Sequence, residues 1–326
     1  MLAYLVRRTL WSLVLLFALT LVTYIIFFVL PSEPARFRRG LASETSDISR
    51  AFDLQGSLVS EYGQFVWNFG AHGSLGRSFA TRRPVTDLLL EAAPVTLSLI
   101  LGGAVIFLAI AIGVGVASAL RPRSLVDRGA MVLVLFGISV HPVWIGLVLS
   151  YLLGFKLHLA PVSGYCELRS PPAGTHCGGP YEWAYHLLLP WLTFAILFSA
   201  VYARMIRASV LEAYEEDYVR TARAKGASQL RVLRAHVLRN ALLPVVTMLG
   251  MDVGVAFGGA LFIEQVYGLP GLGRLMAVSL TRRDLPPVVG VVLVVTLAIV
   301  VLNLLVDLVY AWIDPRVRIA ATTRTT

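Results

Sequence analysis

Long apolar runs alternate along this chain with short polar interruptions, and the runs exceed what the core elements of a water-soluble domain need. Six stand out: Thr9–Leu30, Pro94–Leu120, Gly129–Leu153, His186–Met205, Leu243–Val266 and Pro287–Ile313. A hydrocarbon layer about 30 Å thick takes about 20 apolar residues of helix to cross. A backbone in lipid has no water to pair with and must satisfy its own hydrogen bonds, so each run is predicted to be a helix. The expected fold class is an all-α polytopic membrane protein with six transmembrane helices. The first run is longer than the apolar core of a cleavable leader and no small-residue cleavage site follows it, which predicts a retained anchor.

The polar interruptions divide the chain into an N-terminal tail with the first helix (1–30), a long segment (31–93), a five-helix core (94–313) containing a basic loop at 207–240, and a tail (314–326). The segment after the first helix is too long for a plain connection. Ile48, Phe52, Leu58, Val59, Tyr62, Val66 and Phe69 recur there at helical spacing and predict a short amphipathic helix. Tyr181, Trp183, Tyr185 and Trp191 gather at one end of the fourth run, and Tyr310 with Trp312 at one end of the sixth, as an interfacial aromatic belt would. Gly250, Gly254 and Gly258 place a smooth face along the fifth run, suited to close helix packing.

Composition agrees: 57% of residues are apolar and only 14% charged, against roughly 25% charged in soluble domains. The net charge of +9 raises nucleic acid as a partner. The basic residues lie between apolar runs, however, where they orient a membrane protein, and this argues for membrane lipid and against nucleic acid. Of 28 Lys and Arg residues, 16 fall in the two tails, in the loops after the second and fourth runs and, as Arg204, at the very end of the fourth run, against 5 in the two short loops of the opposite side. By the positive-inside rule both termini are expected in the cytoplasm.

The loop after the fourth run carries the most information. Glu215, Glu216 and Asp217 precede a short run ending in Arg220, Arg223, Lys225 and Gly226. Acid before base suits a helix dipole, Asp217 is the expected N-cap, and Gly226 supplies a left-handed terminus. Ser228 opens a second helix with Leu230, Leu233, Val237 and Leu238 as its apolar stripe. The first of these helices is too short to stand alone in water and needs a surface to pack on.

The run Tyr218-Val-Arg-Thr-Ala-Arg-Ala-Lys-Gly226, followed by His236 and Arg239-Asn-Ala-Leu-Leu-Pro244, resembles the signature loop of binding-protein-dependent ABC transporter permeases, in particular the dipeptide/oligopeptide/nickel class. Leu30-Pro-Ser-Glu-Pro34, Gly73-Ser-Leu-Gly-Arg-Ser78, Arg83-Pro-Val-Thr-Asp-Leu-Leu-Leu-Glu91, Glu264-Gln-Val-Tyr-Gly-Leu-Pro-Gly-Leu-Gly273, Asn303-Leu-Leu-Val-Asp307 and Asp314-Pro-Arg316 extend the likeness over nearly the whole chain. Arg220-Thr221-Ala222 stands where the wider superfamily has Glu-Ala-Ala, and Leu243-Pro244 falls five residues late; both departures match the peptide/nickel form.

The resemblance implies a type I ABC importer permease fold and a coupling helix that docks on an ATPase subunit through Asp217, Tyr218, Val219, Arg220, Arg223, Lys225 and Gly226. It implies as partners a second homologous permease, two cytoplasmic ATPase subunits and an extracytoplasmic substrate-binding protein. ATP and Mg would be handled by the ATPase subunits, since this chain has no Gly-x-x-x-x-Gly-Lys-Ser/Thr loop, and no cofactor or catalytic residue is expected in it. Peptides are favoured over nickel as cargo because no cluster of soft ligands lies within the runs.

Two ionisable residues inside the runs, His141 and Asp252, are candidates for the translocation path, with a structural hydrogen bond as the alternative for each. Cys166 and Cys177, the only cysteines, lie in one loop and are candidates for a disulfide rather than a metal site. An intramembrane hydrolase is disfavoured because Ser139 and His141 are two residues apart on one helix and face different ways. A non-transporting membrane scaffold or secretion component remains the alternative of another class.

Overall fold

The computed structural model describes residues 2–25, 62–63, 67, 75–169 and 177–313. The expected amphipathic helix between Ile48 and Phe69 lies outside the described residues apart from Tyr62, Gly63 and Trp67, as do Leu30–Pro34 and the 314–326 tail. Among the described residues the fold is helical, with two isolated β-bridges, Arg77 to Pro84 and Glu167 to Gly178, and no strand.

Helix α1 spans Leu2–Tyr24, α2 Val85–Leu120, α3 Leu125–Ser139, α4 Pro142–Leu149, α5 Pro180–Glu215 and α6 Asp217–Ala224. Three helical pieces follow, Gln229–Val232, a π-helical stretch at Leu233–Val237 and Leu238–Ala241, and lead into α7 at Leu243–Tyr267. Helices α8 (Leu272–Thr281) and α9 (Leu285–Ile313) complete the order. Among the described residues, four helical stretches are long and apolar enough to cross a membrane: Val85–Leu120, Pro180–Glu215, Gln229–Tyr267 and Leu285–Val306. The 36 residues of α5 make a rod about 54 Å long at about 1.5 Å per residue. That exceeds the hydrocarbon thickness, so one end of α5 reaches well past the lipid.

The third expected span is not one continuous helix. Pro142 has no N–H and its ring would collide with the preceding turn. The residue before a proline is pushed out of the helical region, and His141 accordingly sits at φ −70°, ψ 141° after an extended Val140. Helix α3 stops there and α4 begins, continuing as a π-helical stretch over Ser150–Lys156.

The chain forms two compact units, Met1–Thr96 with Pro270–Leu304 and Leu97–Leu269 with Leu305–Thr326. In the first, Leu75, Val85, Leu89, Leu272, Val289 and Leu293 form a buried apolar cluster. Gly290 makes it possible, since a Cβ there would come within 2.7 Å of Val85 Cγ1. Thr96 Oγ1 accepts the first free N–H of α8, from Leu272, at 2.8 Å. Asp284 is buried and accepts from the Ser78 hydroxyl and from the Phe79 N–H at 2.9 Å, which closes the turn before α2. Along α1, Leu10, Trp11, Leu13, Val14, Leu15 and Phe17 are all exposed. A helix apolar on every side suits lipid.

In the second unit α5 is the central rod, with Leu187, Phe194, Tyr202, Ile206 and Val210 buried. Phe107 of α2 lies 5.5 Å from Phe198 and 5.0 Å from Tyr202, ring centre to ring centre. Trp191, expected in the interfacial belt, is instead buried, and its Nε1 donates to Ser98 O at 2.9 Å. The reason lies in α2: Gly102 leaves the space the indole fills, and a Cβ there would sit 2.2 Å from the ring. The Tyr267 hydroxyl, 2.8 Å from Thr193 Oγ1 and 3.1 Å from Gly146 O, ties α7 to α5 and α4. Gly268 at φ +66° then ends α7.

Candidate functional site

Helix α5 ends at Glu215 and α6 begins at Asp217, so one extended residue, Glu216 at φ −66° and ψ 144°, separates them. Glu216 rather than Asp217 is the N-cap, because Glu216 is the residue with non-helical dihedrals; Asp217 is the first helical residue and its carboxylate lies near the positive end of the dipole. At the other end Ala227 N–H donates to Ala222 O at 3.2 Å and Gly226 N–H to Arg223 O at 2.9 Å, with Gly226 at φ +79°. These two bonds satisfy the last carbonyls and stop the helix. Ser228 is the N-cap of the next piece, as expected.

The short helix turns one side chain fully inward. Val219 is 0% exposed, so it fastens α6 to its own protein and is not offered to a partner, contrary to the expectation that it lines the docking face. Burying a valine contributes about 1.5–3 kcal/mol. Tyr218 is partly exposed and its hydroxyl accepts from Asn240 Nδ2 at 3.0 Å, linking α6 to the stretch before α7. The Arg223 guanidinium lies 5.0 Å from the Tyr214 ring centre. Asp217, Arg220, Lys225 and Gly226 are exposed, and Arg220 pairs only loosely with Asp217, at 3.8 Å. The outward face is therefore polar, cationic and largely free. In the following stretch the expected stripe shifts: Val232 and Val237 are buried, whereas Leu230 is exposed, because the π-helical stretch at Leu233–Val237 changes the angular step between residues.

The two ionisable span residues do not meet. His141 Nδ1 accepts the Val143 N–H at 3.3 Å, capping α4, and the ring stands edge-on to Phe262 at 5.1 Å. Asp252 accepts from the Tyr202 hydroxyl at 2.8 Å. Phe262 is ten residues beyond Asp252 on α7, or about 15 Å along its axis. His141 thus serves a bond within its own turn and Asp252 a bond between α7 and α5.

A cluster the sequence reading missed lies where α2, α3 and α5 approach one another. Asp127, 5% exposed, takes a bidentate grip from Arg207, Nε to Oδ1 at 2.7 Å and Nη2 to Oδ2 at 2.9 Å. It also accepts from the Ser118 hydroxyl and from the Arg123 N–H at 2.8 Å. The Arg207 bonds first, then those of Ser118 and Arg123, hold the Asp127 carboxyl well below the usual carboxylate range. Arg207 is shifted upward in turn, first by its hydrogen bond to Asp127. Half the signal was in the sequence: Ser124 followed three residues later by Asp127 is a capping pattern, and Ser124 Oγ does accept the Asp127 N–H at 3.2 Å. Nothing local named Arg207, which is 80 residues away.

Cys166 and Cys177 form a disulfide with Cα atoms 5.2 Å apart. Cys166 Sγ also lies 3.2 Å from His186 Nδ1. The disulfide uses both sulfurs that a metal ion would need as thiolates.

Comparison with known proteins gives a consistent result. Residues 109–319 match the family described as the binding-protein-dependent transport system inner membrane component, and residues 1–100 match its N-terminal membrane component. A Brucella abortus protein provisionally named a peptide transport system permease is 35% identical over 321 residues, covering 98% of this chain and 99% of that one. The dipeptide transport system permease protein DppB of Escherichia coli is 34% identical over 337 residues, covering 98% and 99%. The oligopeptide transport system permease protein AppB of Bacillus subtilis is 33% identical over 320 residues, covering 97% and 99%. A chain from a crystal structure of an amino acid ABC transporter with histidines aligns at 17% identity with a TM-score of 0.49, over 71% of this chain and 94% of that one.

Proposed function

The chain belongs to the family of binding-protein-dependent transport system inner membrane components, and from that premise we propose that it forms half of the path by which an ATP-driven importer admits peptides. Family membership makes it a multi-pass permease subunit that works with other transport subunits and is not an enzyme. The peptide cargo is inferred from relatives named for peptide, dipeptide and oligopeptide transport. The complete transporter contains a second homologous permease, two cytoplasmic ATPase subunits that bind ATP and Mg, and an extracytoplasmic substrate-binding protein. In this reading six helices cross the membrane and both termini are cytoplasmic, as the distribution of Lys and Arg supports.

The observation that carries the mechanism is the form of α6. Its buried Val219 and the cap at Gly226 hold it in place, while Asp217, Tyr218, Arg220, Arg223 and Lys225 face outward to meet an acidic, notched surface on an ATPase subunit. When the ATPase pair closes on ATP, α6 is displaced. The displacement passes through the single extended residue Glu216 into α5, and through the Tyr218–Asn240 bond into the stretch leading to α7. Reversing an equilibrium from 1:99 to 99:1 takes about 5.5 kcal/mol, within what ATP binding by a partner supplies.

The test is to purify the assembled complex from membranes and measure which compounds stimulate its ATPase activity. Di- and oligopeptides presented with the binding protein are expected to stimulate it. Nickel acting alone in that role would overturn the peptide reading. A complex without ATPase subunits would overturn the importer reading altogether and favour a scaffold.

A further inference from the structure

A push on α6 moves the outer helices only if α5 cannot slip against its neighbours, and this unit holds a joint at the place where slip would begin. Apolar contacts alone fix α5 poorly in direction. Gly115 of α2 lies flush against Ala203 and Ile206, and Gly137 of α3 against Ala200. Contacts of this kind bring the backbones close and carry no directed bond. The Asp127–Arg207 pair differs in kind, because a planar guanidinium bonded through two nitrogens to two carboxylate oxygens fixes orientation as well as distance.

The turn carrying Asp127 is shaped around that carboxylate. Arg123 adopts φ +64°, a strained value for a residue with a side chain, and in that conformation its N–H points at Asp127 Oδ2. Ser124 caps α3 over the Asp127 N–H, and Ser118 donates from the last turn of α2. One carboxylate therefore gathers the end of α2, the turn and the start of α3, and offers them all to α5. Arg207 stands eight residues before the end of α5 at Glu215, or about 12 Å from α6. Among the described residues it is the side-chain tie to α3 that stands nearest the coupling helix.

We propose that Asp127 and Arg207, supported by Ser118, are positioning residues for transport that lock α5 to the α2–α3 hairpin, so that displacement of α6 moves the three helices as one lever. The inference rests on the importer reading above. Breaking the joint leaves α6 docked and the ATPase able to turn over, while the stroke dissipates as slip of α5. The signature is uncoupling, with more ATP consumed for each peptide imported.

The experiment reconstitutes the complete transporter with its binding protein in liposomes and measures labelled-peptide uptake and ATP hydrolysis together. Asp127→Asn and Arg207→Gln are expected to keep ATP hydrolysis within about twofold of wild type while uptake falls at least about tenfold. The double variant should be no worse than the poorer single one, because the pair acts as a unit. Arg207→Lys keeps the charge without the bidentate grip and should recover only part of the coupling. Ser118→Ala deletes one small hydroxyl and tests the joint in a variant expected to assemble normally, with about a twofold to fivefold rise in ATP used per peptide. An unchanged ratio of ATP to peptide in Asp127→Asn and Arg207→Gln overturns the joint. So does a parallel fall of both activities with the amount of assembled complex, including in Ser118→Ala, since that would make the cluster purely structural. A wild-type complex with no ATP-driven uptake sinks the importer reading and the joint with it, whereas an active wild type with unaltered variants sinks the joint alone.

Discussion

Replacing Gly226 isolates the backbone contribution of the α6 terminus from every side-chain effect. A Cβ at this position would meet nothing within 4 Å, so Gly226→Ala introduces no collision. The cost is conformational: φ is +79°, and holding an L-residue there costs roughly 1–2 kcal/mol. Because every 1.4 kcal/mol is a factor of ten, Gly226→Ala should raise the frayed population of α6 about 5- to 30-fold. Gly226→Asn should do so less, since asparagine tolerates the left-handed region. Gly226→Pro should abolish the cap, because proline is held near φ −65° and lacks the N–H that bonds Arg223 O. Hydrogen exchange on the membrane-embedded protein reads this directly through the amides of Val219 to Ala227. Exchange is expected to accelerate in the order Asn, Ala, Pro, with peptide uptake falling in the same order while membrane insertion is intact. Exchange in Gly226→Ala indistinguishable from wild type would refute the backbone argument, and normal uptake by Gly226→Pro would remove the hinge from the mechanism.

Three further outcomes follow from named contacts. Tyr202→Phe deletes the hydroxyl bonded to Asp252 inside the helical bundle, and should destabilise the protein by about 1–3 kcal/mol; an unchanged thermal midpoint in detergent would show that Asp252 has another adequate partner. Asp127 is depressed chiefly by Arg207, so its contribution is present above its unfolded value of about 3.9 and is lost as pH falls through the lower folded value. The stability gap between wild type and Asp127→Asn should therefore stay constant from about pH 5 to about pH 8 and narrow only below about pH 4, and a gap that changes near neutrality would contradict the assignment. Alkylation of the untreated protein should label neither Cys166 nor Cys177, whereas reduction should free both thiols, the buried Cys166 reacting once the protein is unfolded, and lower stability by roughly 3 kcal/mol for a loop of this length; two reactive thiols in the untreated protein would exclude the bridge.

What could be read from the sequence was what neighbouring residues decide among themselves. Gly226 and Ser228 end one helix and begin the next through bonds to residues at most five positions away, so the helix–glycine–helix order was legible without a fold. The orientation of α6 was not. Tyr218 and Val219 are adjacent and both are able to pack, and only the tertiary structure decides that Val219 goes inward. Trp191 stood where belt and core aromatics look alike in a sequence, and the residue that decides between them, Gly102, belongs to another helix. Pro142 did signal a disturbance, yet its strength depended on His141, which supplies an acceptor for the Val143 N–H and so makes a full break sustainable. The partnership of Asp127 with Arg207 spans 80 residues and leaves no local trace beyond the Ser124 cap.

These contrasts bear on how the chain divides its mechanical roles. Helix α6 has eight residues and one fully buried side chain. A helix of that length gains little from its own hydrogen bonds, so its order depends on Val219, the Gly226 cap and whatever covers its outward face. A docked partner therefore stabilises α6 further, and binding and local order reinforce one another. Behind it the construction is the opposite. Arg207 and Asp127 use two directed bonds, a strained Arg123 and a serine from another helix to add fixed orientation to the close glycine contacts. In the proposed mechanism, compliance at the contact would let α6 seat on a moving surface, and stiffness about 12 Å behind it along α5 would keep the resulting displacement from being lost. A protein stiff in both places would dock poorly, and one compliant in both would dock and transmit nothing. On the proposed function, the placement of Gly226 at one end and Arg207 at the other would suit a subunit that receives force from an ATPase partner.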